Sequence, residues 1–388
     1  MIELPHPPAV LDILEEHLSE LAFLWEQRER YVFSADWTLK ELAAHEERAE
    51  AHLDGLRLGA GRSVDLARPA LNSEESGLAA AATFVMMSFG QPDLEQSVLQ
   101  SLSASPPACR NGVRIGLRHS DIDRVIPQLS ELAVSAKPPV RAAAVDVLAF
   151  RRLPAPKGIA SLLADPDPDV RHLAFDAAGR FSGPWSYDIV NQALDGDSPA
   201  LRVAALRASA RMGLPGLDET CRRTGTRPQS PVPEALEFLG ALGDTKDLTV
   251  LENSISRREL ARAAIAGLGA LGSVAAIPIL IRAMADPELA GPAGKAFVRI
   301  SGADGIEAGD PPLPDPAAAR VWWDREHGRF DRGGRWQCGR DGSKAPLGEN
   351  FDTLTLASRL DVYLGARARD PRQTPDRELE RSSVLRQG

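Results

Sequence analysis

Residues 165–181 read DPDPDVRHLAFDAAGRF, and residues 197–213 read DSPALRVAALRASARMG. In the first, Val170, Leu173, Ala174, Ala177, Ala178 and Phe181 stand at i, i+3, i+4, i+7, i+8 and i+11, one face of a three-turn helix. In the second, the same offsets select Leu201, Ala204, Ala205, Ala208, Ser209 and Met212. The stripe recurs outward in both directions. Upstream copies begin at Leu78, Cys109 and Val140, and downstream copies at Val232, Leu260 and Leu289. A fixed step of about 30 residues marks a repeat array in which each unit buries its face against its neighbours. Small residues fill most of the i+3 and i+4 slots because stacked helices approach closely only where Ala or Gly replaces bulk.

A second helical segment separates successive stripes, as at Ile122–Leu132, Trp185–Leu194 and Val274–Met284. The turns before the stripes carry Pro with Asp or Ser, as in Asp165-Pro166-Asp167-Pro168 and Asp197-Ser198-Pro199. Proline is tolerated in the first helical turn, and Asp or Ser suits the cap before it. Each unit therefore reads as helix, turn, helix, turn. The two quoted stretches resemble short HEAT repeats of the kind related to phycobilin-lyase repeats. That resemblance covers 78–302 and implies an all-α, right-handed solenoid of about eight repeats. It says little of function, since one fold hosts many functions.

Residues 9–33 and 38–58 form an amphipathic helical hairpin, with Trp37 at the turn, that suits the cap of such an array. ILEEHLSELAFLWEQRERYV (13–32) and LAAHEERAEAHLDGLRL (42–58) resemble the N-terminal region of a little-characterised proteobacterial HEAT-repeat family, whose members are sometimes encoded near type VI secretion genes. The resemblance implies a setting rather than an activity. His17, His45, His52 and Asp54 invite a metal reading, since His45 and His52 lie two turns apart on one helix; hydrogen bonding across the hairpin is the plainer one. The single pair His45-Glu46 resembles one element of HEAT-repeat di-iron hydroxylases, which carry several such pairs in successive repeats. One pair outside the array does not make that site, and no cofactor or metal is expected.

Residues 59–77, with Gly59, Gly61 and Pro69, read as a linker. Arg110, Arg141, Arg171 and Arg202 occupy the same slot in four consecutive units. Such a ladder could grip an acidic helix or a phosphate backbone. Its one-per-unit regularity favours a structural role, each Arg pairing with an Asp of a neighbouring turn such as Asp169. After Ile300, residues 301–319 (SGADGIEAGDPPLPDP and onward) read as a loop. Trp322, Trp323, Phe330 and Trp336 then sit among Arg325, Arg329, Arg332 and Arg335. This segment resembles the C-terminal part of the same family. Trp and Arg are enriched as interface anchors, which makes Trp322, Trp323, Arg325, Arg329, Arg335 and Trp336 candidates for partner binding. Interleaved aromatics can also stack nucleic-acid bases. The plainest reading is a lid on the last repeats. A further helix is expected over 351–367, and the composition from Asp370 onward reads as a disordered tail. The organisation expected is thus a cap and linker over 1–72, a solenoid over 73–302, a Trp/Arg segment and helix over 303–369, and a tail over 370–388.

The net charge of −9 disfavours a general binder of nucleic acid or anionic membrane. Three separated cysteines, Cys109, Cys221 and Cys338, suit neither a disulfide framework nor a zinc site. No signal peptide or spanning segment is read, so a cytoplasmic protein is expected. No GxxxxGK[ST], GxSxG or HExxH motif occurs, nor any set of nucleophile, base and orienting group. The expectation is a non-enzymatic adaptor that binds another protein, a secretion component or effector, with no membrane partner. A bilin-lyase-like enzyme or small-ligand binder, and a nucleic-acid binder using the Arg ladder, are the alternatives.

Overall fold

A computed structural model describes residues 7–32, 34, 36–135, 137–153, 159–181, 187–309, 312–330 and 333–341. The helix expected over 351–367 and the tail from 370 lie outside the described residues. The chain is all-α. Its only described strands are two pairs of two-residue strands. No described helix is long and apolar enough to cross a membrane. Two compact units divide between Ile189 and Val190, inside the array rather than at its ends. In a repeat array contacts run between neighbours, so a terminal element joins whichever units it packs on.

The first unit opens with α1 (Pro7–Tyr31) and α2 (Leu39–Gly59), the expected hairpin. Thr38 caps α2 in a reciprocal box with Glu41: the Thr38 amide donates to Glu41 Oε2 at 2.7 Å. Next come α3 (Gly61–Ala70), α4 (Ser76–Ser88), α5 (Pro92–Ala104), α6 (Pro107–His119) and α7 (Ile126–Leu132), then α8 (Pro138–Phe150), α9 (Ile159–Leu163) and α10 (Pro168–Ala178). Helix α11 (Tyr187–Asp195) spans the division. The second unit holds α12 (Pro199–Met212), α13 (Leu217–Gly225), α14 (Pro233–Leu242), α15 (Asp247–Ser254), α16 (Arg258–Leu271), α17 (Ile277–Ala283) and α18 (Ala290–Ser301). After these come the antiparallel pair β1 (Glu307–Ala308) and β2 (Leu313–Pro314), then α19 (Pro316–Glu326), then the antiparallel pair β3 (Trp336–Gln337) and β4 (Arg340–Asp341).

Each apolar stripe lies on one of α4, α6, α8, α10, α12, α14, α16 and α18. Val170, Ala174, Ala177, Ala178 and Phe181 are buried, as are Leu201, Ala204, Ala205, Ala208 and Ser209. The small residues act as expected. A Cβ on Gly112 of α6 would stand 2.7 Å from the Ala79 methyl of α4, and one on Gly240 of α14 would strike the Gly267 carbonyl of α16.

Two expected loops are partly regular. Residues 61–70 form α3 rather than a linker, because Ser63, Ala67 and Ala70 are buried there. The carbonyl of Leu71, just past its end, accepts from Ser101 Oγ at 3.0 Å and Cys109 Sγ at 2.7 Å. Gly61 and Pro69 sit near the helix ends, where breakers cost least. Within 301–319, Asp315 caps α19 by accepting from the Ala317 amide at 3.0 Å, and Pro316 takes the first helical position. The Gly- and Pro-rich composition concealed that start.

Candidate partner-binding cleft

The four Arg of the ladder bond mainly to carbonyls, not to Asp. Arg110 donates to Leu102 O at 3.1 Å and Ser105 O at 2.6 Å. Arg141 reaches Ser135 O at 2.9 Å, Arg171 reaches Asp165 O and Pro166 O, and Arg202 reaches Gly196 O at 3.2 Å and Glu234. Each guanidinium satisfies backbone acceptors left open by the turn before its own helix. Asp169 instead lies one step along the cap, its amide bonded to Asp167 at 2.9 Å.

The Trp/Arg segment turns largely inward. Trp322 is 8 % exposed, and its ring lies edge-on to Phe297 of α18 at 5.9 Å. Trp336 is 7 % exposed and packs on Phe330 at 4.6 Å. Its amide donates to Gly272 O at 2.8 Å, a close approach allowed by the left-handed Gly272 (φ 68°). Arg335 donates to Leu271 O at 3.0 Å, to Ala241 O at 2.9 Å and to Gly240 O. Cys338 N meets Arg299 O at 2.6 Å and Gly339 N meets Ile300 O at 3.0 Å. The segment thus closes the carbonyl ends of α14, α16 and α18. Trp322, Arg335 and Trp336, expected as partner-binding candidates, are engaged in this clasp. Trp323 is half-buried against Phe330 at 5.2 Å; Arg325 and Arg329 are exposed and pair with Glu326 at 2.9 and 2.8 Å.

The three histidines of the hairpin do not converge on one point. His45 is buried and donates from Nε2 to Leu24 O at 2.7 Å. His52 pairs with His17 through Nδ1 atoms 3.0 Å apart, and Asp54 pairs with Arg57 at 2.6 Å. Partial burial, and then the charge of His17, hold His52 below the ordinary histidine value. Among the described residues no group of three or more His, Cys, Asp or Glu is arranged to hold a metal ion. Burial pushes the Cys221 thiol well above its ordinary value and away from nucleophilic use. Residues 267–272 (Gly-Leu-Gly-Ala-Leu-Gly) carry the G-x-G-x-x-G spacing, but they form the end and cap of α16 and follow no strand. Gly267 and Gly269 press on the neighbouring helices α14 and α18.

What the sequence did not disclose lies in the first unit. Helices α1 and α2 and the ends of α4 and α6 enclose a cleft of about 520 Å³. Trp25, Phe84, Met87 and Leu53 make an apolar floor, with the half-buried Phe89 beside them. The Trp25 ring lies tilted at 4.5 Å from Phe84 and 4.7 Å from His119, whose ring in turn lies 4.9 Å from Phe150. Gly90, left-handed at φ 58°, lets the Arg124 guanidinium lie against the rim. The rim carries Glu47, Glu50 and Asp121, and behind it Glu46 is buried.

The cations in and behind this wall are already committed. Arg28 is 1 % exposed, lies over Trp25 at 4.9 Å, and donates to Glu46 at 2.8 Å and Glu29 at 3.0 Å. Arg57 is shared by Glu50 and Asp54, both at 2.6 Å, and Arg124 meets Glu95 at 3.3 Å. Deeper still, Asp146 of α8 accepts from Arg114 and Arg118 of α6, each at 2.6 Å, with Arg180 at 3.7 Å. Arg118 and Arg180 both lie over the Phe150 ring. Burial alone would raise the Asp146 carboxyl; the charges of Arg118 and Arg114 overcome it and hold the group well below the usual range. These ion pairs tie α1 to α2 and α6 to α8 behind the cleft. No protein-family model matches the sequence, and no curated protein matches it.

Proposed function

We propose that this protein is a non-enzymatic interaction scaffold that binds another protein in the cleft between α1, α2, α4 and α6. The single supporting observation is the cleft itself. A cleft with a largely buried apolar floor and the half-buried Phe89 beside it, a rim carrying carboxylates and a wall held by buried ion pairs make a preorganised docking site. The inward turn of Trp322 and Trp336 moves the proposed site from the C-terminal segment to this cleft. The resemblance of the hairpin extends the proposal: the protein acts in the bacterial cytoplasm as an accessory or chaperone-like factor of a type VI secretion system, and its partner is a secretion component or effector. A small-ligand or enzymatic use of the same cleft has less support, since Glu46 and Glu50 are tied to Arg28 and Arg57 rather than poised for proton transfer. A row of Arg spent on carbonyls gives nucleic-acid binding no support either.

The test is photo-crosslinking in the native host, with benzoylphenylalanine in place of Phe89, and of Trp323 for comparison. The reading expects one discrete adduct from Phe89 that is lost in the Glu47→Lys, Asp121→Lys double variant. An adduct from Trp323 with none from Phe89 overturns it.

A further inference from the structure

We infer that the cleft receives an arginine or lysine side chain from an otherwise apolar segment of the partner. This inference rests on the reading of the cleft as a protein-docking site and names the chemistry of its occupant.

Charge decides the matter. Glu47 on α2 and Asp121 after α6 stand exposed on the rim, and no cationic side chain among the described residues bonds either of them. Glu50 and Asp54 share a single guanidinium, Arg57. Arg124, the other cation of the rim, is matched by Glu95. The neighbouring Arg48 does not line the cleft. The rim therefore keeps an excess of negative charge over an aromatic and aliphatic floor. Such a surface suits a long side chain with an apolar stem and a cationic head. An acidic or phosphorylated segment would meet repulsion there.

The protein's own packing shows the same chemistry twice in this unit. Arg28 lies over Trp25 and reaches Glu46; Arg118 lies over Phe150 and reaches Asp146. Both combine an aromatic face, a guanidinium and a carboxylate. The open side of the cleft repeats the aromatic and the carboxylates, and its cations Arg57 and Arg124 are held by Glu50, Asp54 and Glu95 rather than by Glu47 or Asp121. Its volume of about 520 Å³ fits one long side chain with its flanking residues rather than a whole helix.

Fluorescence anisotropy of the full chain with labelled twelve-residue peptides tests this. One apolar host sequence carries Arg, Lys, citrulline or Glu at its two central positions. The Arg and Lys peptides should bind about tenfold tighter than the citrulline peptide, which has the shape of Arg without its charge. Glu47→Gln together with Asp121→Asn should erase that preference, and raising the salt should weaken the Arg and Lys peptides but not the citrulline peptide. Both residues are exposed, so unchanged melting of the double variant shows that the fold survives. Equal binding of citrulline and Arg peptides, or a preference untouched by the double variant, overturns the inference. The crosslink from Phe89 separates the two levels. A captured segment without a basic residue overturns the inference and leaves the docking reading standing; failure of both crosslink and peptides removes both.

Discussion

Replacing Asp146 by alanine should be the most damaging single change in the first unit. The carboxylate is fully buried and accepts hydrogen bonds from Arg114 and Arg118, both at 2.6 Å. Those arginines are 7 and 8 % exposed. Without Asp146, like charges remain buried against each other with their counter-ion gone. Breaking a buried ion pair from one side costs about 3–5 kcal/mol, because the remaining charge is stranded. Against a typical domain stability of roughly 5–15 kcal/mol, that is a large fraction. Asp146→Asn keeps the shape and one acceptor while removing the charge, so its cost should be smaller. The carboxyl sits well below its ordinary range in the folded state. Its contribution is therefore complete above the unfolded value, about 3.9, and declines as pH falls from there toward the folded value. The wild type should lose more stability than Asp146→Asn on acidification below about pH 4. A chain of two units need not unfold in one step, so urea titration should be read with hydrogen exchange. Lost protection is expected first in α6 and α8. A cost for Asp146→Ala below about 1 kcal/mol, within the range of an exposed pair, or a loss of protection spread evenly over the unit, would refute the reasoning.

Further outcomes concern the seams and the clasp. Gly240→Ala should destabilise the second unit by about 1–3 kcal/mol despite alanine's better helix propensity, since the methyl would press on the Gly267 backbone; thermal melting checks this. Trp336→Ala should cost about 3 kcal/mol and expose the ends of α16 and α18 to protease, while leaving the Phe89 crosslink intact. Arg335→Met should weaken the same clasp by about 2 kcal/mol, read by hydrogen exchange at residues 336–341. His52 sits below its ordinary value. The unfolded state therefore takes up its proton first, and the hairpin should lose stability as pH falls from 7 to 5. His52→Gln should flatten that dependence in a pH series of melts.

Much of the fold was legible because the stripe is periodic and the turns carry Pro with Asp or Ser. Val170 to Phe181 declares a helix and its buried face without any tertiary knowledge. Helix α3 was not legible, because Gly61 and Pro69 look like breakers and only burial of Ser63 and Ala67 offsets them. The Trp/Arg segment was legible as a lid but not as a set of carbonyl ligands. Which acceptors Arg335 meets depends on helix ends more than sixty residues away. The cleft was invisible for the same reason. Trp25, Glu47, Phe89 and Asp121 come from four separate elements, and no spacing links them. One faint signal existed: Arg114 and Arg118 are one turn apart on a stripe helix, and Asp146 lies on the next. Charges on otherwise apolar helices suggest a buried cluster.

The central claim is that the cleft, rather than the Trp/Arg segment, holds the partner. Photo-crosslinking from position 89 measures this most directly. The account predicts a discrete adduct in the native host whose linked segment carries an Arg or Lys, and its loss when Glu47 and Asp121 are both changed to Lys. An adduct formed only from position 323, or one indifferent to those two changes, would contradict it.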